Sequence, residues 1–317
     1  MNISSRKFGK YDNKAIKEYI LDNGNKLNVK IISLGATIRE INYKDINTVL
    51  GFNNVEDYVN SRTYFGALVG RVAGRVSNGE VLISNKKYKL DQNEGSTCLH
   101  GGDEGYSFKV WEYVDSIVKK DSVSIILGYT SPDFESGFPG ELINHVKYTV
   151  YKNDSLSIEY FAKSTKDTPI TLTNHSYFNL NGDLSTDILN HILYIDADKY
   201  MQLDENNIPI TISNVGQTPF DFRSGKAVNK DQIILSSAKT GIQLKINTSE
   251  PVVILYCSNK LEEGLTLSNG DRTIRYQGVC LETQWYPDAI NQEFLLDNIL
   301  KAGEEYNSKT VYKFHQI

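Results

Sequence analysis

Apolar and polar residues alternate in short runs along most of the chain, the two-residue period that turns one face of an extended strand to a core and the other to water. The pattern predicts strands at Lys26–Ser33, Ser122–Ser131, Ile143–Lys152, Ser155–Phe161, His191–Ile195, Gln243–Thr248, Val252–Ser258 and Ser308–Phe314. These runs are rich in Val, Ile, Thr, Tyr and Phe, and Gly, Asn, Asp and Lys separate them, as expected of antiparallel β structure. Lys152-Asn153-Asp154 lies between two of the runs and reads as a hairpin turn. Helical periodicity is almost absent, the one candidate being a short turn around Val55–Val59. Helix bundles and alternating βαβ folds therefore fit poorly, and the chain reads as all-β. No Pro- or Ser-rich linker divides it and no fixed-period repeat recurs, which favours one large β-sandwich over residues 1–317 rather than a propeller or tandem modules.

Composition narrows the partners more than the fold. The formal net charge of -5 arises from 39 acidic and 34 basic residues mixed along the chain, with no basic block to follow a phosphate backbone, so nucleic acid is a disfavoured partner. Neither a secretory leader nor a spanning helix is expected from the polar opening at Met1–Lys10 and the lack of a long apolar stretch after it, so no membrane partner is expected and the compartment reads as cytoplasmic. Cys98, Cys257 and Cys280 are odd in number and widely spaced, which argues against both a disulfide framework and a zinc cluster. The 20 tyrosines suit half-buried strand faces, and they equally suit a carbohydrate cleft, where aromatic faces meet the C–H faces of a pyranose.

The densest candidate chemistry is Thr173-Asn174-His175-Ser176-Tyr177-Phe178-Asn179-Leu180, which sets one of five histidines among hydrogen-bonding and aromatic groups. With an ordinary pKa of about 6.5, about a quarter of an imidazole is protonated at neutral pH, enough for a general acid. A matching base is available in Val279-Cys280-Leu281-Glu282-Thr283-Gln284-Trp285-Tyr286-Pro287: a carboxylate closing an apolar run would have its pKa raised wherever desolvation dominates. Leu99-His100-Gly101-Gly102 places a second imidazole before glycines that let a ligand approach the backbone. Gly70-Arg71-Val72-Ala73-Gly74-Arg75 lacks the Lys-Ser/Thr of a phosphate-cradling loop, so its guanidiniums fit sugar hydroxyls better than a nucleotide. Gly137-Phe138-Pro139-Gly140-Glu141-Leu142 is turn chemistry, and His145, His191 and His315 read as structural.

Taken in order, His100-Gly-Gly, Gly-Phe-Pro-Gly-Glu-Leu, Thr-Asn-His175-Ser-Tyr-Phe-Asn-Leu and Leu-Glu282-Thr-Gln resemble the aldose 1-epimerases, the galactose mutarotases. The likeness begins near Asn23-Gly24-Asn25 and ends at Ser308–Phe314. It implies the galactose mutarotase-like form of the large antiparallel β-sandwich, an open carbohydrate cleft, a small-molecule sugar as partner and no cofactor or metal. Residue by residue it implies His175 as general acid, Glu282 as general base and His100 as the histidine assisting at the sugar, with Arg75, Tyr177 and Asp231 as substrate-binding candidates. Three positions depart from the family pattern. Gly74 stands where Asn is common, Ile254 where a glutamine is common, and Asp231 is what remains of a shortened Gly-Tyr-Asp-His segment. Losing polar groups from a site alters or relaxes its preference among sugars. Two other readings are consistent with these residues: a non-catalytic sugar-binding module, and a mutarotase for a phosphorylated sugar using Arg71, Arg75 or Arg223. A glycosidase would want two carboxylates flanking the bond.

Overall fold

The computed structural model describes residues 1–223 and 231–317. An eight-stranded antiparallel sheet forms its largest layer, in the order Glu112–Val118, Ser122–Ser131, Leu142–Tyr151, Ser155–Ser164, Glu305–Gln316, Ile242–Thr248, Ile233–Ser237 and His191–Ile195. A five-stranded antiparallel sheet, running in chain order from Asn2–Tyr11 to Ile46–Asn47, packs against it. Strand alternation explains the contact. Val29, Ile31, Ile38 and Ile41 point inward from the smaller sheet to meet Val123, Ile125, Val146, Tyr148 and Ile158 from the larger, all buried in one cluster. Fully burying a side chain of this size contributes about 1.5–3 kcal/mol, so this layer dominates the gross stabilisation. Tyr148 adds direction, its hydroxyl donating to the Ala36 carbonyl at 2.6 Å across the two sheets.

The strands expected from alternation are present with ends moved by at most three residues, and the short helix forms at Val55–Asn60, capped by the Asn54 side chain accepting from the Asp57 N–H at 2.8 Å. The Lys152–Asp154 turn closes with Asp154 at a φ of 63°, which an aspartate tolerates. Alternation gave no sign of the first hairpin, Asn2–Tyr11 with Lys14–Asp22, because most of its first strand is exposed on both faces. Among the described residues, no helix is long and apolar enough to cross a membrane.

A smaller three-stranded sheet carries the chemistry: Tyr177–Phe178, Val279–Gln284 and Val252–Tyr256, with the second strand central. All six residues of the central strand are buried. Val279 and Leu281 enter the main core, so alternation turns Cys280, Glu282 and Gln284 to the opposite face. Val253 and Leu255 likewise pack on the core and leave Val252, Ile254 and Tyr256 on the face of Glu282. The apolar half of the strand pays for seating a carboxylate in its middle.

Candidate active site

His175 arrives at this face through a two-stranded pairing of Thr173–Asn174 with Leu68–Val69. Its N–H donates to the Ala67 carbonyl at 2.9 Å and its carbonyl accepts from Gly66 N–H at 2.9 Å. Asn174 Nδ2 donates to the Gly66 carbonyl at 2.7 Å, and Thr173 Oγ1 donates to the Thr283 carbonyl at 3.0 Å, which ties the histidine segment to the glutamate strand. Next to the His175 segment, Tyr177 pairs with Cys280 across the sheet. The result places His175 Nε2 3.5 Å from Glu282 Oε1, with both side chains buried.

His100 completes the cluster. One nitrogen of each imidazole and one Glu282 oxygen lie within 4.8 Å of one another. The His100 N–H donates to the Gly74 carbonyl at 2.9 Å, and Gly74 N–H donates back to His100 Nδ1 at 3.2 Å. Gly101 makes this approach possible: at a φ of +89° a Cβ there would lie 2.0 Å from the Gly70 carbonyl oxygen. Burial first, then the neighbouring His175 and Arg75, depress the His100 pKa well below the ordinary imidazole value. His100 is therefore neutral at pH 7, and because Nδ1 accepts, its proton sits on Nε2. That nitrogen is a donor suited to a sugar hydroxyl, and it has no lone pair to offer a cation, so the His–His–Glu grouping does not fit a metal in this state.

Burial is also the largest influence on Glu282, raising its pKa, while His175 and Arg75 oppose the rise. The carboxylate is thus made more basic on balance, burial outweighing the neighbouring His175 and Arg75. Arg75 lies at the start of Arg75–Val76, which pairs with Cys98–Leu99 just before His100. Its guanidinium is held by Glu94 through Nε at 2.6 Å and Nη2 at 2.7 Å. Aromatic rings wall the imidazoles. Tyr177 stacks on His175 at 5.1 Å between centroids, and Tyr64 stacks on His175 at 5.9 Å and meets His100 edge-on at 4.9 Å.

The structure thus gathers His100, His175, Glu282, Arg75 and Tyr177 of the sequence-derived candidates. Asp231 is engaged elsewhere, accepting from Asn247 Nδ2 at 3.0 Å and paired with Lys245 Nζ at 3.0 Å. Of the three arginines considered for an anion, only Arg75 stands near the cluster. The Arg71 guanidinium is buried, donating to the carbonyls of Pro139 and Gly140 at 2.8 and 3.0 Å and to Ser131 Oγ at 2.7 Å, so the Gly137–Leu142 turn is the socket of a structural arginine. Arg223 is paired with Asp221 and Asp198. The departures from the family pattern also have locations. Ile254 sits directly across from Glu282. It lines a cavity of about 450 Å³ with Val252, Phe222, Tyr200 and Tyr286, whose lining does not include His100, His175 or Glu282. Gly74 has a φ of +80°, and a Cβ on it would lie 3.3 Å from Gln284 Nε2. The Gln284 Oε1 atom is buried without a hydrogen-bond partner.

Sequence reading passed over Tyr64, Cys280 and Gln284. The last two were visible in principle, since they share the parity of Glu282 on its strand. Tyr64 had no local signal, because its role comes from ring contacts with His100 and His175, residues far from it in sequence.

An imidazole facing a desolvated carboxylate, a second imidazole fixed as donor and a wall of aromatic rings define an acid–base site for a polyhydroxylated ring. Comparison with known proteins agrees. The family model described as aldose 1-epimerase matches residues 17–313. The bovine galactose mutarotase is 37% identical, with 91% of each chain covered. The Escherichia coli K12 aldose 1-epimerase is 33% identical, with 84% of each covered. The crystal structure of galactose 1-epimerase from Lactobacillus acidophilus superposes with a TM-score of 0.87 at 27% identity, covering 99% of both chains. The chain belongs to the aldose 1-epimerase family, is an isomerase and has the galactose mutarotase-like fold.

Proposed function

We propose that this chain interconverts the α and β anomers of a free, uncharged aldohexose, with Glu282 as base and His175 as acid. Glu282 takes the proton of the anomeric hydroxyl, the O–H electron pair becomes the carbonyl bond, and the C1–ring-oxygen pair leaves with the ring oxygen. That oxygen takes the proton from His175 Nε2. Rotation about C1–C2 and reclosure on the other face return both protons with the roles exchanged. His100 Nε2–H and Arg75 would hold hydroxyls, and Tyr177 would hold the His175 ring by stacking. The observation that carries this reading is the 3.5 Å approach of His175 Nε2 to the buried Glu282 carboxylate. Each positioned proton transfer is worth roughly 10²–10⁴-fold, and two suffice for a reaction already measurable in water. Asp231, held by Lys245 and Asn247, has no part in it.

An uncharged sugar is favoured over a phosphorylated one because Arg75 already has its charge matched by Glu94 in a two-point pair. The site also has one carboxylate facing one imidazole, which does not suit glycoside hydrolysis. The test is polarimetry or proton NMR of freshly dissolved α-galactose and α-glucose. Native protein accelerates the approach to anomeric equilibrium, and His175→Ala lowers the rate by roughly 10²-fold or more. Saturable calorimetric binding of these sugars with no acceleration would overturn the catalytic reading in favour of a sugar-binding module, and full activity of His175→Ala would remove the assigned acid.

A further inference from the structure

His175 has two ring nitrogens, and only Nε2 is accounted for by the chemistry above. Nδ1 points away from Glu282, and Cys280 Sγ lies 3.5 Å from it, within the reach of a sulfur hydrogen bond. Cys280 is completely buried and sits on the same strand face as Glu282, two residues before it. Across the sheet its register partner is Tyr177, the ring that stacks on His175.

We propose that Cys280 is a positioning residue for His175, pairing with Nδ1 so that Nε2 is the nitrogen that exchanges a proton with the sugar. The inference rests on His175 being the acid. Which imidazole nitrogen reacts is decided by the bond that the other one makes. When His175 is an imidazolium, Nδ1–H donates to the sulfur. After Nε2 gives up its proton, the remaining proton stays on Nδ1, and Nε2 is left bare as the base for reclosure. When Nδ1 is bare, the thiol proton can turn to it, since a thiol is both a weak donor and a weak acceptor. A carboxylate in this place would lock the ring in the charged form, and an apolar group would leave Nδ1–H unpaired in a buried site, at a cost. Burial pushes the Cys280 thiol well above its ordinary pKa, so it remains a thiol rather than a second anion behind the ring. The other groups facing His175 are Glu282 at Nε2, the neutral His100 ring at 5.2 Å and the stacked rings of Tyr177 and Tyr64, of which only Glu282 carries charge at neutral pH.

The experiment compares Cys280→Ser, which keeps a donor and acceptor, with Cys280→Ala and Cys280→Val, which do not. Two readouts are taken: the pH profile of kcat/KM for anomer exchange, and the ¹⁵N titration of the His175 ring by NMR without substrate. Activity needs His175 protonated, so its alkaline limb marks loss of that proton. Without an acceptor for Nδ1–H the imidazolium is less stable, and the apolar variants move the limb and the NMR midpoint to lower pH by about half to one unit. Serine restores both. If the NMR midpoint is the same in the wild type, the alanine and the valine variants, the proposal is wrong, even should the rate fall through loosened packing. The NMR readout is independent of turnover, so it distinguishes this failure from failure of His175 as the acid, which the activity of His175→Ala decides.

Discussion

Replacing Glu282 by glutamine separates what the site does from what it costs the fold. Glutamine has nearly the same shape and no basic oxygen, so the anomeric proton loses its acceptor. A positioned base is worth roughly 10²–10⁴-fold, which at 1.36 kcal/mol per decade corresponds to about 3–5 kcal/mol of transition-state stabilisation. The folded chain should respond in the opposite sense. Glu282 is buried, and its pKa is raised by that burial against the opposing His175 and Arg75. The folded state therefore holds its proton to higher pH than the unfolded state does. Stability from this group is fully present below the ordinary carboxyl range and is lost as pH rises through the raised folded value. Glutamine, neutral at every pH, escapes that loss. Glu282→Gln should thus melt at a higher temperature than the native chain near pH 7–8, and the advantage should shrink on acidification toward pH 4. Polarimetry of α-galactose gives the rate and scanning calorimetry across this pH range gives the stability. Retention of more than a tenth of the native rate would refute the assignment of the base, and a variant less stable at pH 8 than at pH 4 relative to native would refute the desolvation argument.

Three further outcomes follow from the same geometry. Gly74→Asn puts a side chain at a φ of +80°, at less strain than most residues because asparagine visits left-handed backbone, and it adds an amide beside Gln284 and the sugar cleft. Its KM for galactose should fall by about 5-fold with kcat unchanged, the worth of one net hydrogen bond, as initial-rate kinetics will show. Arg75→Gln removes a charge that lowers the Glu282 pKa and the His100 pKa. The acidic limb of its kcat/KM profile should therefore move to higher pH, and an unmoved limb would mean that Arg75 does not act on the base. His191 Nε2 accepts the N–H of Leu180, the last residue of the His175 segment, at 2.8 Å, and chiefly through burial its pKa is lowered to about 4. A depressed histidine contributes stability that is complete above the unfolded value of about 6.5 and is lost as pH falls toward about 4. His191→Gln should flatten the decline of melting temperature over that window.

The larger strands were legible because each has one wet face: Ser122–Ser131 and His191–Ile195 match their expected bounds to the residue. Strands buried on both faces carry no such alternation. Val279–Gln284 reads as an apolar run interrupted by polar residues, so it was the carboxylate closing that run, and then the family likeness, that singled out Glu282 rather than periodicity. The two-residue strands Leu68–Val69, Arg75–Val76, Cys98–Leu99, Thr173–Asn174 and Tyr177–Phe178 are too short for any period to register, yet they carry or flank most of the site. Arg71 and Arg75 look alike in sequence and differ entirely in place, one sealed among carbonyls and the other beside the acid–base pair.

By itself the sequence determined the all-β class, the main strands and the residue types that an acid–base site for a sugar needs, because alternation and side-chain chemistry are local properties. Only the tertiary structure decided that His175, His100 and Glu282 meet, that Asp231 is spent on Lys245 and Asn247, and that Cys280 lies behind the His175 ring. Those facts depend on contacts between segments separated along the chain, about a hundred residues apart for His175 with Cys280 and Glu282, and on the burial that the packed sheets impose; both set the pKa values, and neither is a property of any short stretch of sequence.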